Sequence, residues 1–480
     1  MRILLINTNR MKPAIAPIGL DYLAESLVSA GHEPYLLDLY FVSDVTEGIR
    51  LAIDYFAPDV VGITVRNTDD CYFSGGAFFL PEIREIVQEV KSVSSAPVVL
   101  GGVGFSVTPM AIMDYCDADY GIAGEGEVAL IQFLEAIEYD MGIDKVPNLL
   151  WREGPRIRQN PTFYIDLDDL PKRTRTFVDN PAYFCEGGQA GFETKRGCNM
   201  NCIYCADPVS KGRFIRLRSP RGVVEELEAL LSQGIDHFHT CDCEFNIPGE
   251  HARETCRAII DAGLGEKIRW YAYCSITPFD AEMAELFRRA GCAGINFGAD
   301  SGSDYMLARL GKSFRSEDLI RTAKLCRQHG ITFMYDLLLG GPGETKETVR
   351  ESIELMRQIE ADCVGLAMGM RIYEGTAAAE MVRAEGEIAT NPNLYGAKED
   401  NPHFLKPVFY IAPDLGPDIV EYTRKLVGND ERFFLPSNEQ VETNYNYNDN
   451  TVLVNAIKNG ARGAYWDILR RLQTKDSSQD

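Results

Sequence analysis

No stretch of 18 consecutive apolar residues occurs in the 480-residue chain, so no segment reads as a membrane-spanning helix and no membrane partner is expected. The opening MRILLINTNR holds an apolar run of only Ile3 to Ile6 before Asn7 and Asn9. That run is too short for a signal peptide, and a cytoplasmic protein is expected. Positive charge is scarce: 48 Lys and Arg stand against 71 Asp and Glu, for a formal net charge of −23. Such a surface repels phosphate backbones, so a nucleic-acid partner is not expected unless basic residues cluster locally. Two stretches do cluster them, PKRTRTF (Pro171 to Phe177) and SKGRFIRLRSPR (Ser210 to Arg221), and both read as solvated loops beside a site. There is no internal repeat. Thirteen cysteines in a large chain of a reducing compartment are not a disulfide framework.

What is present is an ordinary globular composition, 45% hydrophobic and 25% charged, with length for two to four domains. Residues 1–135 alternate short apolar runs with amphipathic helices. RILLIN, YLLD, DVVGITV, PVVLGG and ADYGIAG read as strands; the helix after Pro17 sets Leu20, Leu23, Leu27 and Val28 near one face and stops at Gly31. Five strands with helical crossovers predict an α/β doubly wound parallel sheet, whose ligands sit at the carboxyl ends of the strands. Residues 136–190 lose the rhythm and read as a linker. From GFETK onward, residues 191–380 alternate again through HFHT, RWYAYC, AGINFG, TFMYDLLLG and CVGLAMGM, which predicts a partial (β/α)6 barrel rather than eight strands. Residues 381–480 read as a small C-terminal capping domain ending in the helix AYWDILRRL, with Tyr445, Tyr447 and Trp466 as packing residues.

The densest chemical signal is KRGCNMNCIYC, which places Cys198, Cys202 and Cys205 within eight residues. A structural zinc site needs four ligands, and Cys185 and His237 lie across other elements. A 4Fe–4S cube held by three thiolates keeps one iron open for an exogenous chelator. The loop follows the first barrel strand, where barrel active sites lie, and Gly197, Asn199 and Asn201 suit a tight turn that presents backbone N–H groups to sulfur.

Cys-x3-Cys-x2-Cys with Tyr204 before the last cysteine resembles the radical S-adenosylmethionine (SAM) superfamily. The resemblance implies that Cys198, Cys202 and Cys205 ligate the cluster and that the open iron binds SAM. In HTCDCEFNIP it points to Asp242, Glu244 and Asn246 as holders of the SAM amino group. In NFGADSGSD, Ser301 matches a SAM-contacting Gly-x-Glu-Ser-Gly stretch of relatives, with Asp300 in place of the glutamate. LLLGGPGET and RIYEGT match the fifth and sixth strand ends. Cys241, Cys243, Cys274, Cys292 and Cys363 read as buried small hydrophobes. The first domain resembles the cobalamin-binding subgroup, through Ala16 to Asp38, the pair Gly101–Gly102, and GIAGEGE with Gly124 and Glu125. No Asp-x-His-x-x-Gly stretch supplies a cobalt-ligating histidine, and His32 reads as a surface residue. Arg66 either lies beneath the corrin as a non-coordinating cation or pairs with Asp69 or Asp70. VRNTDD and the missing histidine resemble the tryptophan 2-C-methyltransferase branch. The resemblance implies a methyltransferase that moves a methyl from SAM via methylcobalamin to a carbon of a small-molecule substrate, served by an electron donor such as flavodoxin or ferredoxin. The rivals are a ring-forming or rearranging enzyme with the same cofactors, and a non-catalytic cobalamin or redox sensor. Methylthiolation of RNA or protein would need more cysteines in the first domain than Cys71 and Cys116.

Overall fold

The computed structural model describes residues 1–73, 75–435 and 447–476; Tyr445 lies outside them. The first sheet contains β1 (Arg2–Asn7), β2 (Glu33–Asp38), β3 (Val60–Thr64), β4 (Val98–Gly101), β5 (Tyr120–Ile122), β6 (Leu149–Glu153) and β7 (Arg156–Gln159), in the order β2-β1-β3-β4-β5-β6-β7. The first five strands are parallel, and β6 and β7 add an antiparallel hairpin. Apart from half-buried Arg2, β1 is buried along its length, as a central parallel strand covered by helices on both faces must be. Its two faces carry separate apolar clusters. The hairpin falls within the span that reads as a linker. The reason is physical: β7 is an edge strand of sequence RIRQ, largely exposed and without an apolar face.

The second sheet begins with β8 (Ala190–Phe192). The short antiparallel pair β9 (Lys195–Arg196) and β10 (Arg216–Leu217) follows and brackets the cysteine loop. The sheet continues through β11 (His237–Thr240), β12 (Arg269–Cys274), β13 (Cys292–Asp300), β14 (Thr332–Leu339) and β15 (Cys363–Met368), all parallel and in sequence order. This is the expected six-stranded open barrel. A small antiparallel sheet of β16 (Met370–Arg371), β17 (Leu394–Gly396) and β18 (Val408–Tyr410) follows, and β19 (Phe433–Phe434) adds a seventh parallel strand beside β15. Local signals set the crossover helices: in Pro220–Ser232, Ser219 accepts from Gly222 N, proline occupies the first turn, and Val223, Val224, Leu227 and Leu230 face the core. Among the described residues no helix is long and apolar enough to cross a membrane.

The basic residues of the two stretches are solvated only in part, at Lys172, Arg213 and Arg221. Arg173, Arg175, Arg216 and Arg218 are all at most 7% exposed. Arg175 donates to Asp21 of the first domain at 2.8 Å and to Glu226 of the barrel at 2.7 Å, and Arg173 meets Glu193 at 2.9 Å. Tyr22 donates to Glu226 at 2.6 Å, so the segment spells out an internal bolt between the domains. Asp69 and Arg371, at 2.8 Å, form a second buried tie.

Candidate cofactor site between the two sheets

The carboxyl ends of both sheets open on one cavity of about 800 Å³. The first domain contributes Asn7, Thr64, Arg66, Gly101, Gly102 and Gly124. The barrel supplies Gly191, His239, Cys241 and Tyr273, and the tail closes the wall with Tyr447, Tyr465 and Trp466. At Gly101, Gly124 and Gly126 a methyl group would meet no protein atom nearer than 3.7 Å, so these glycines leave ligand space open. Gly124 and Gly102 both have positive φ, +96° and +101°, but Gly102 differs in that a Cβ would lie 2.7 Å from the Val65 carbonyl, which only glycine tolerates. A cradle of bare backbone beside a large, partly apolar volume fits a flat macrocycle such as cobalamin.

Arg66 forms no ion pair among the described residues. Asp69 is committed to Arg371, and Nη1 of Arg66 reaches only Met11 Sδ, at 3.6 Å. Desolvation draws its pKa down, and the groups opposing that are Tyr465, Cys241, Tyr273 and Cys71, not a carboxylate. The salt-bridge alternative to Asp69 is therefore excluded, and no pair to Asp70 forms. Glu125 lines the cavity, but its carboxylate is occupied: it holds Arg216 at 2.6 Å and accepts from Ile165 N at 2.9 Å.

The cysteine loop is braced on both sides. Cys198 N donates to Gly212 O at 3.0 Å, and Ile203 N donates to Leu310 O at 3.1 Å. The Cys198 thiol is drawn down by its hydrogen bond from Cys243, against burial. Among the described residues no three His, Cys, Asp or Glu side chains converge as on a single metal ion. Thiolates of a 4Fe–4S cube each take a different iron and have no need to converge.

The three polar residues after β11 part company. Asp242 accepts from Thr194 N at 2.8 Å, Thr194 Oγ1 at 2.6 Å and Lys195 N at 3.2 Å. Asn246 donates to the carbonyls of Ser275 and Pro278 and accepts from Ser275 N. Both side chains hold the barrel together. Glu244 does not: its buried Oε2 has no hydrogen-bond partner among the described residues, and burial pushes the carboxyl up to about 8, with Lys312 opposing and Cys198 adding to the rise. An orphaned buried oxygen beside the thiols fits a group that is absent from the protein atoms. Ser301 is likewise spent, bonding Ser352 Oγ at 3.0 Å and Ser303 N at 3.1 Å. Asp300 pairs with Lys312 at 2.7 Å and accepts from the Tyr204 hydroxyl at 2.5 Å.

Cys274, Cys292 and Cys363 are buried as expected, whereas Cys241 and Cys243 line the cavity. Trp466 does pack, edge-on to Tyr271 at 6.1 Å, and Tyr447 packs against Tyr465 at 5.6 Å. Sequence reasoning missed Lys312 and the His239–Tyr273 ring pair at 4.8 Å, because neither sits in a motif and only the fold brings them to the site.

This architecture defines a radical SAM barrel behind a cobalamin-type domain. Residues 192–356 match the Radical SAM superfamily and residues 5–134 match the B12 binding domain. The chain is 31% identical to tryptophan 2-C-methyltransferase of Streptomyces laurentii, over 96% of this chain and 94% of that one. It is 25% identical to cytidylyl-2-hydroxyethylphosphonate methyltransferase of Streptomyces wedmorensis, over 70% of this chain and 72% of that one. Among solved structures, the radical SAM methyltransferase TsrM of Kitasatospora setae, with tryptophan and a SAM analogue bound, superposes with a TM-score of 0.91 at 30% identity, covering 100% of this chain and 99% of that one. The chain belongs to the cobalamin-binding radical SAM superfamily.

Proposed function

We propose that this protein is a methyltransferase that moves a methyl group from SAM, by way of cobalamin, to a ring carbon of tryptophan or a closely related small molecule. The observation that carries this reading is the single cavity lined by the carboxyl ends of both sheets, where a cobalt carrier and an acceptor can meet. The full-length likeness to a tryptophan 2-C-methyltransferase, and an aromatic wall of Tyr273, Tyr447, Tyr465 and Trp466 suited to an indole, support the acceptor class.

In this reading Cys198, Cys202 and Cys205 hold a 4Fe–4S cluster, and Glu244, with its free oxygen, holds the SAM ammonium. Gly101, Gly102 and Gly124 would let backbone approach the corrin, and Arg66 would place beside it a cation that cannot coordinate cobalt. When bound, cobalamin supplies a cobalt centre that carries methyl groups, and the cluster supplies electrons. A one-electron donor such as flavodoxin or ferredoxin keeps both reduced. The protein's share is orientation and exclusion of water.

The test is anaerobic incubation of the cofactor-loaded protein with tryptophan and methyl-deuterated SAM, followed by mass spectrometry and NMR. The expected products are S-adenosylhomocysteine and tryptophan bearing the label on an indole carbon. A product without the labelled methyl would contradict the reading and favour ring formation or rearrangement.

A further inference from the structure

Lys312 follows the short helix Asp304–Arg309 and reaches back to the cysteine loop. Its side chain is 3% exposed; its ammonium lies 2.7 Å from Asp300, 3.3 Å from the Tyr204 hydroxyl and 3.2 Å from the Gly298 carbonyl. The turn that carries it is locked to the loop. Leu310 O accepts from Ile203 N, and at Gly311, where φ is +80°, a Cβ would lie 2.1 Å from Asn201 O and 3.6 Å from Cys202 N. Asp300 is aimed at this ammonium by two backbone irregularities, a register shift in β13 between Gly298 and Asp300 and a φ of +62° at Asp300 itself. A side chain held in the left-handed region carries a conformational cost, and it persists there only where the surrounding structure fixes it.

We propose that the Lys312–Asp300 pair, oriented by Tyr204, sets the reduction potential of the cluster bound at Cys198, Cys202 and Cys205. This rests on the cluster assignment above. A cation on the thiol side stabilises the more negative, reduced cluster and raises its potential; the carboxylate behind it trims that effect. Lys312 and Asp300 are positioning residues, because they act through the charge they place beside the cluster ligands.

The experiment is an anaerobic redox titration, followed by EPR, of reconstituted wild type, Lys312→Met, Lys312→Arg and Asp300→Asn. The expected result is a midpoint lower than wild type in Lys312→Met, higher in Asp300→Asn, and close to wild type in Lys312→Arg. A brace that merely holds the loop does not produce shifts of opposite sign. Should Lys312→Met take up no cluster, Asp300→Asn decides: a raised midpoint supports the inference and an unchanged one overturns it. Unchanged midpoints in loaded variants overturn the inference alone. Failure of wild type to take up a cluster overturns the cluster assignment and this inference with it.

Discussion

Arg66 shows how much one residue's partners can decide. In the sequence it stands beside Asp69 and Asp70 and invites a salt bridge. In the fold Asp69 turns to Arg371, and Arg66 faces the cavity, forming no ion pair among the described residues. Replacing it with alanine is expected to alter the visible and EPR spectra of bound cobalamin and to slow methyl transfer by roughly tenfold or more, the scale typical of groups that tune a bound metal. Unchanged spectra and turnover in that variant would contradict the role. The cysteines were legible because their spacing is local. The polar residues after β11 were not, since Asp242, Glu244 and Asn246 look equivalent there until Thr194, Lys195, Ser275 and Pro278 claim two of them.

At the scale of elements, apolar periodicity disclosed the five parallel strands and the barrel strands, because a strand buried on both faces announces itself. It failed at β7, whose exposed RIRQ carries no such signal, and at PKRTRTF, where arginines ordinarily mean solvent. Arg173 and Arg175 are buried because Asp21, Glu193 and Glu226 come from other elements to meet them. Burial pushes the Glu226 carboxyl up, but Arg218, Arg175 and Arg173 together pull it down, to about 2 against an ordinary 4.5. A depressed carboxyl contributes stability above its unfolded pKa and loses it as pH falls. The expectation is therefore full stability above about pH 4.5 and a progressive loss toward about pH 2. Glu226→Gln, which leaves buried arginines without their counter-charge, is expected to destabilise by roughly 3–5 kcal/mol at neutral pH and to flatten that acid slope. Thermal melts of both proteins across that range are the check; an identical slope in the variant would show that Glu226 does not anchor the linker.

For the whole molecule, the central consequence is that neither sheet owns the site. The first domain presents glycine-lined strand ends and Arg66; the barrel presents Gly191, His239, Cys241 and Tyr273; the tail adds Tyr465 and Trp466. The buried pairs Arg175–Asp21, Arg175–Glu226 and Arg371–Asp69 hold these parts at fixed distance. Two domains could be read from the chain, but that their ligand-binding ends face each other could not, since it depends on contacts between residues hundreds of positions apart. The measurement that tests this most directly is anaerobic reconstitution with iron, sulfide and hydroxocobalamin, followed by desalting, a visible spectrum and metal counts. About four irons and about one cobalamin are expected to be retained per chain in the same preparation. A four-iron cluster retained without cobalamin would contradict this expectation.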